Sequence, residues 1–250
     1  MSDLHIHRIE SNHAVLLTKL WRAAFPSDPI NFIEGFFANL PHNAVTLVGE
    51  NDGGIVTMLF LLPANALFRG ISYPVRYLYA GCTHPQYRGH GYYRELMNAA
   101  EKTVAAMGES AIYLHPADER LTDTYKRLGY RSGIFGSRAR ADLPMSVCAS
   151  VDVYMQKRNE VIDCISQDAV FWNVSDGIAH FFVADAYARG AKMMCTDNDV
   201  ALSFKETAIE TIGIDARREN ADHCLWLPVG DSPLLALMQE FDGVTGLVGD

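Results

Sequence analysis

No two cysteines of this chain stand at C-x-x-C spacing. Its five, Cys82, Cys148, Cys164, Cys195 and Cys224, are scattered, which argues against a zinc knuckle or a redox dithiol. An odd count behind the start Met1-Ser2-Asp3-Leu4-His5, which lacks a basic and then apolar leader pattern, fits a reducing, cytoplasmic setting. Basic residues are scarce as well. Lysine and arginine number 21 against 30 aspartates and glutamates, a formal charge of −9, so nothing is left over to neutralise a phosphate backbone and nucleic acid is not expected as a partner. Long apolar runs are missing too: the most apolar stretch, Ile55 to Leu62, stops at Pro63, far short of the roughly 20 residues that span a bilayer. No membrane partner is expected. The chain also has no Gly-Lys-Ser/Thr loop for a nucleoside triphosphate, and its one Gly-x-Gly turn lacks the third glycine of a dinucleotide site.

What is present is apolar material for a substantial core, 49% of 250 residues, enough for one large domain or one with an appended half. Alternation at Leu4 to Ile9 predicts a strand, and Ser11 or Asn12 can cap a helix running to Phe25. Phe32, Ile33, Phe36, Phe37 and Leu40 recur at helical spacing over 30–40. The β-rich runs 44–50 and 54–62 flank Asn51-Asp52-Gly53-Gly54, which predicts a hairpin. An extended run over 75–83 leads through a glycine turn into a helix over 92–107, then a strand over 111–115, a helix over 120–128 and a stop at Gly129.

Past residue 143 the texture changes. Helices are expected over 154–165, 177–189, 206–212 and 233–241, with paired strands within 192–204 about the turn Asp197-Asn198-Asp199 and another strand over 223–229. No repeat period marks the junction. Two units are expected, 1–145 and a smaller mixed α/β unit, 146–250. Phe171-Trp172 and Phe181-Phe182 are expected in the core of the second unit, with a role in walling an acceptor site as the further option.

The chemistry concentrates at Arg88-Gly89-His90-Gly91-Tyr92-Tyr93. A helix N-terminus offers unpaired N–H groups and about half a positive charge, here at Tyr92 and Tyr93. Gly89 and Gly91 let the backbone approach a phosphate, and Arg88 adds a forked contact from the rim. Together these residues describe a diphosphate cradle. The stretch Cys82-Thr83-His84-Pro85-Gln86-Tyr87-Arg88-Gly89-His90-Gly91 resembles the acetyl-CoA motif of the GNAT acetyltransferases, Arg/Gln-x-x-Gly-x-Gly/Ala. Arg88 and Gly91 match its first and fourth positions, while Tyr93 stands where the family has a small residue.

The resemblance implies a GNAT fold of the α/β (α+β) class, with a mixed, mostly antiparallel central sheet flanked by helices. It covers residues 1–143, and the remainder is loosely similar to the partial acetyltransferase-like half of the enhanced-intracellular-survival group. It further implies acetyl-CoA as co-substrate and direct attack of a primary amine on the thioester. Backbone groups at Cys82 and Thr83, where the fourth strand splays from the fifth, would polarise the carbonyl. Cofactor contacts are thus carried onto Cys82, Thr83, Arg88, Gly89, His90, Gly91, Tyr92 and Tyr93.

Tyr125-Lys126-Arg127-Leu128-Gly129-Tyr130 resembles the family's Tyr-x-x-x-Gly-Phe/Tyr segment, which makes Tyr125 the general acid for the departing thiolate. No base is singled out: His84, His115, Asp118 and Glu119 all lie near the two strand ends. The acceptor, a small-molecule amine or a peptide or protein amine, is not written in the chain, nor is the oligomeric state, a homodimer being one option. A non-catalytic acyl-CoA sensor is the competing function. No metal site is expected, because His5, His7 and His13 lack partners at ligand spacing, and Gly230-Asp231-Ser232-Pro233 reads as a helix start, not a hydrolase serine.

Overall fold

The structure, a computed structural model, describes residues 4–9, 13–136, 145–204, 207–213 and 222–246. The expected cap at Ser11 or Asn12 lies outside the described residues. The first elements are β1 (His5–Ile9), α1 (Ala14–Ala24), α2 (Ile30–Ala38), β2 (Val45–Asn51), β3 (Gly54–Phe68) and β4 (Ile71–Thr83). After a 3-10 turn at Pro85–Tyr87 come α3 (Tyr92–Ala106), β5 (Ala111–Leu114), α4 (Glu119–Arg127) and β6 (Arg131–Gly136). The rest of the chain supplies β7 (Ser146–Val147), α5 (Val151–Ile165), β8 (Val170–Val174), α6 (Asp176–Ala188), β9 (Lys192–Cys195), β10 (Asp199–Phe204), β11 (Thr207–Gly213), β12 (Asp222–Pro228), α7 (Leu234–Glu240) and β13 (Gly243–Thr245).

The hairpin expected at Asn51 is β2–β3, its turn tightened by Gly53 N–H donating to Asn51 Oδ1 at 2.9 Å. Strand β3 does not stop at Pro63; it runs on to Phe68. The reason lies in its neighbours. Along one edge β3 pairs first with β2, as far as Leu61, and then with β8, from Ala64 to Leu67. The Pro63 carbonyl faces that edge, accepting from Ser175 N–H at 2.9 Å. A strand residue's N–H and C=O point the same way, so the donor that proline lacks falls in the gap between two partners.

Nine strands form one sheet in the order β1-β2-β3-β4-β5-β12-β6-β13-β8, and because β8 also pairs with β3 the sheet closes on itself. It is mixed and mostly antiparallel, with parallel pairs at β4–β5, β6–β13 and β13–β8. The large sheet runs across the boundary expected near residue 145, since β8, β12 and β13 are intercalated with strands of the first half. A separate four-stranded sheet, β11-β10-β9-β7, lies wholly in the second half.

The helix expected over 206–212 is a correction: residue 206 lies outside the described residues, and 207–212 belong to β11, paired antiparallel with β10. Glu210 and Ile212 are buried while Ile209 and Thr211 are only partly so, the period of two that a half-buried strand requires. Glu210 suits a helix by propensity. Its carboxylate is instead held inside by Tyr154 Oη at 2.8 Å and Arg158 Nε at 2.9 Å, a tertiary demand that outweighs a per-residue preference of under about 1 kcal/mol.

Two apolar clusters cover the faces of the large sheet. On one, Leu96, Met97, Ala100 and Val104 of α3 pack on Val45, Leu47, Leu59, Leu61 and Ile112. On the other, Trp21 of α1 and Phe36 of α2 meet Phe60, their ring centroids 5.6 and 5.1 Å from it. Phe171 and Trp172 are fully buried in the same cluster, and Phe181 stacks on Phe32 at 5.8 Å. No described helix is long and apolar enough to cross a membrane.

Candidate active site

Strands β4 and β5 are parallel neighbours only at Arg76↔Ile112 and Tyr77↔Tyr113. Beyond Tyr77 the described pairing of β4 is with β3 alone, so the two strands diverge and leave a wedge. A register shift between Met58 and Phe60 puts a bulge into β4 on this stretch, with Ala80 in the left-handed region at φ 47°, a conformation that costs a non-glycine residue about 1–2 kcal/mol. The strand end is fixed from behind by Thr57, fully buried, whose hydroxyl donates to the Cys82 carbonyl at 2.7 Å and lies 3.0 Å from the Thr83 hydroxyl.

From the wedge the chain runs through the 3-10 turn, where His84 Nδ1 accepts from Gln86 N–H at 3.3 Å, into the glycine turn. Gly89 and Gly91 have φ of 84° and 85°, a region that side chains with a Cβ rarely adopt. A Cβ added at either would touch nothing within 4 Å, so conformation, not crowding by the protein, selects glycine here. Gly91 is the N-cap of α3 and supplies no side-chain cap. The first-turn amides therefore present their partial positive charge outward.

They open onto a groove of about 410 Å³. One wall is Thr83, Arg88, Gly89, Gly91, Tyr92 and Tyr93; the other is Thr124 and Arg127 of α4 and Leu128 just past it, with Arg94 and Tyr87 completing it. Arg88 is latched to the loop, its Nε donating to the Thr83 carbonyl at 3.2 Å. Three arginines thus line the groove together with the first turn of α3, an arrangement suited to a polyanion.

The side chains of two expected contact residues, His90 and Cys82, do not line this groove. The His90 ring folds back, Nδ1–H directed at the carbonyls of Tyr87 and Arg88 at 3.2 and 3.1 Å, and stacks on Tyr92 at 5.5 Å. Cys82 is buried behind the strand end, and burial pushes its thiol up to about 12; a neutral thiol is a poor nucleophile. Sequence reasoning missed Thr57, Arg94, Arg127 and Gly81. Arg94, in the first turn after the cap, carried a usable signal. Thr57 became visible only through strand register.

Tyr125 is 6% exposed and its hydroxyl is 2.9 Å from that of Tyr93. Burial raises the Tyr125 phenol, opposed in part by this hydrogen bond. Of the four base candidates, Asp118 is occupied as the cap of α4, accepting from Leu121 N–H at 2.7 Å, and His84 holds its own turn. Glu119 lies exposed in the first turn of α4. His115 is half-buried just past β5.

A family model described as an acetyltransferase (GNAT) domain matches residues 5–133, just over half of the chain. The chain belongs to the GNAT acetyltransferase family. No curated protein matches it. Solved GNAT-like structures share the fold at low identity. A probable N-acyltransferase from Enterococcus faecalis superposes with a TM-score of 0.70 at 12% identity, covering 92% of this chain and 73% of that one. Eis1 from Mycobacterium abscessus gives 0.62 at 10% identity, over 96% and 68%. A GCN5-related N-acetyltransferase from Kribbella flavida gives 0.60 at 14%, over 94% and 67%. Each alignment runs over more than nine-tenths of this chain, so the likeness extends through the second half, beyond the GNAT domain match.

Proposed function

We propose that this GNAT protein transfers an acetyl group from acetyl-CoA to a primary amine, the amine attacking the thioester directly within a ternary complex. The observation that carries the reading is the uncapped N-terminus of α3, opening onto a groove ringed by Arg88, Arg94 and Arg127. That groove suits the coenzyme's pyrophosphate and lies beside the wedge between β4 and β5, where a pantetheine arm can lie as an additional strand. Cys82 and Thr83 border the wedge with backbone groups, and the bulge at Ala80–Gly81 turns the strand there. Donors fixed in this way stabilise a developing oxyanion without reorganising, an effect worth about 3 kcal/mol per donor in comparable sites.

In this reading Tyr125 is the general acid. Its phenol, raised by burial, stays protonated at neutral pH and can protonate the departing thiolate. The attacking amine loses its proton to water or to a half-buried group such as His115. Residues 1–145 hold the coenzyme, and residues 146–250 shape the acceptor side, where Phe182 of α6 packs on Tyr79 at 5.3 Å. The acceptor is a small-molecule, peptide or protein amine, and the charge of −9 favours a cationic one. All five cysteines are free thiols, which suits a reducing compartment such as the cytoplasm.

The deciding experiment joins calorimetry with acetyl-CoA to a thiol-release assay over a panel of amines. Binding with amine-dependent release supports the transferase. Tight binding with no release from any amine favours a sensor of acyl-CoA, and absence of binding removes both.

A further inference from the structure

Tyr93 stands at the motif position that the family fills with a small residue, and its phenol joins three parts of the site. Its hydroxyl is 2.9 Å from the Tyr125 hydroxyl. The same hydroxyl lies so near β4 that a Cβ at Gly81 would overlap it, so a glycine in the bulge makes room for this ring. Tyr93 also lines the groove, and Tyr125 does not. Of the two phenols, Tyr93 is thus the one on the groove side.

The titratable groups facing the pair include Tyr77 of β4, Tyr130, after α4, and Cys82, at the end of β4, with Glu101 of α3 interacting with Tyr130 and Arg88 with Cys82. Burial raises both phenols, but the bond between them lowers Tyr125 and raises Tyr93. Either hydroxyl can donate at this distance, and donation from Tyr93 is the sense that fits the lowering of Tyr125.

We propose that Tyr93 is a positioning residue for thiolate protonation: it donates to the Tyr125 oxygen, leaves the Tyr125 proton directed into the wedge, and gives up its own proton in the same step, to be recharged from the groove. The inference rests on Tyr125 being the general acid. As the C–S bond breaks, its electron pair goes to sulfur, and sulfur takes the Tyr125 proton. The Tyr125 oxygen takes the Tyr93 proton, and Tyr93 is recharged from groove water. The new amide nitrogen releases a proton to water, so the sum is one C–N bond made, one C–S bond broken and one proton moved from nitrogen to sulfur.

The test uses the full chain, acetyl-CoA and an accepted amine. Tyr93→Phe is expected to lower kcat about tenfold, the worth of one hydrogen bond to a group that becomes charged, with KM for acetyl-CoA changed less than about twofold. Rates in mixtures of light and heavy water should change from a curved dependence, which reports two protons in transit, to a straight line. An unchanged kcat, or a lowered kcat with the curvature intact, overturns the relay. Tyr125→Phe measured in parallel separates the two ideas: if it too is harmless the acid assignment fails, whereas if it alone is impaired only the role of Tyr93 is lost. A readout without turnover is the carbon-13 resonance of tyrosine Cζ. Tyr93→Phe must shift the Tyr125 signal in the free protein, and an unmoved signal refutes the hydrogen bond.

Discussion

Arg76 in β4 grips Glu109, just past α3, with two parallel hydrogen bonds, Nε to Oε2 at 2.6 Å and Nη2 to Oε1 at 2.7 Å. A third donor of the same guanidinium, Nη1, reaches the Asn43 carbonyl at 2.6 Å. Arg76 is also one of the two β4 residues in register with β5. The clamp therefore sits at the closed end of the wedge and fixes α3, whose other end faces the groove, to the strand that diverges.

Removing one member of so buried a pair leaves the other charged and without its partner. Glu109→Gln or Arg76→Ala should lower unfolding free energy by about 3–5 kcal/mol, seen as a reduced midpoint in urea. A loss under about 1 kcal/mol would mean that water, not Glu109, satisfies the guanidinium.

At the groove, Arg88→Ala combined with Gly91→Val should abolish measurable acetyl-CoA binding by calorimetry, because one change removes a phosphate contact and the other forces a β-branched residue to φ 85°. Arg127→Ala alone should weaken binding about tenfold, by loss of one charged hydrogen bond. Undiminished affinity in the double variant would place the coenzyme elsewhere.

Tyr125→Phe should cut turnover by about 10²-fold while leaving coenzyme affinity nearly intact. The sign of the pH dependence follows from burial. A phenol raised above its usual 10.0 keeps its proton further into alkali, so turnover should show no decline on its account as pH rises from 7 to 9. A decline in that range that vanishes in Tyr125→Phe would contradict the assignment.

The Cys82 thiol, pushed up to about 12, is expected to carry no acetyl group at any point in the cycle. Cys82→Ala should retain turnover within a few-fold, and mass spectra of quenched reactions should show no acetylated Cys82 peptide. Neutral-pH alkylation should reach exposed Cys164 long before Cys82.

Much of the groove could be read from the chain because it is built from contiguous residues. Gly89, Gly91 and the start of α3 lie within one short stretch, and the left-handed glycine angles fall where the motif demands them. The β2–β3 hairpin was legible for the same local reason. What could not be read depends on partners distant in sequence. Pro63 looks like a strand end until β8 is placed beside it. Glu210 looks helical until Tyr154 and Arg158 claim its carboxylate. The Tyr93–Tyr125 contact joins two helices 32 residues apart, and only their shared packing on the sheet shows why the motif's small residue is missing.

Closing the sheet through β8 and β3 has a cost for biosynthesis. Val170–Val174 must emerge before Ala64–Leu67 find their neighbour, and Leu225–Pro228 before β5 is covered. A nascent chain ending near residue 145 thus carries unpaired strand margins on β3 and β5. Folding waits on contacts more than 100 positions apart, a topology that slows collapse into the native arrangement. Melting should accordingly follow one sigmoidal curve for both halves, and a gene truncated at codon 145 should yield aggregate instead of a smaller enzyme.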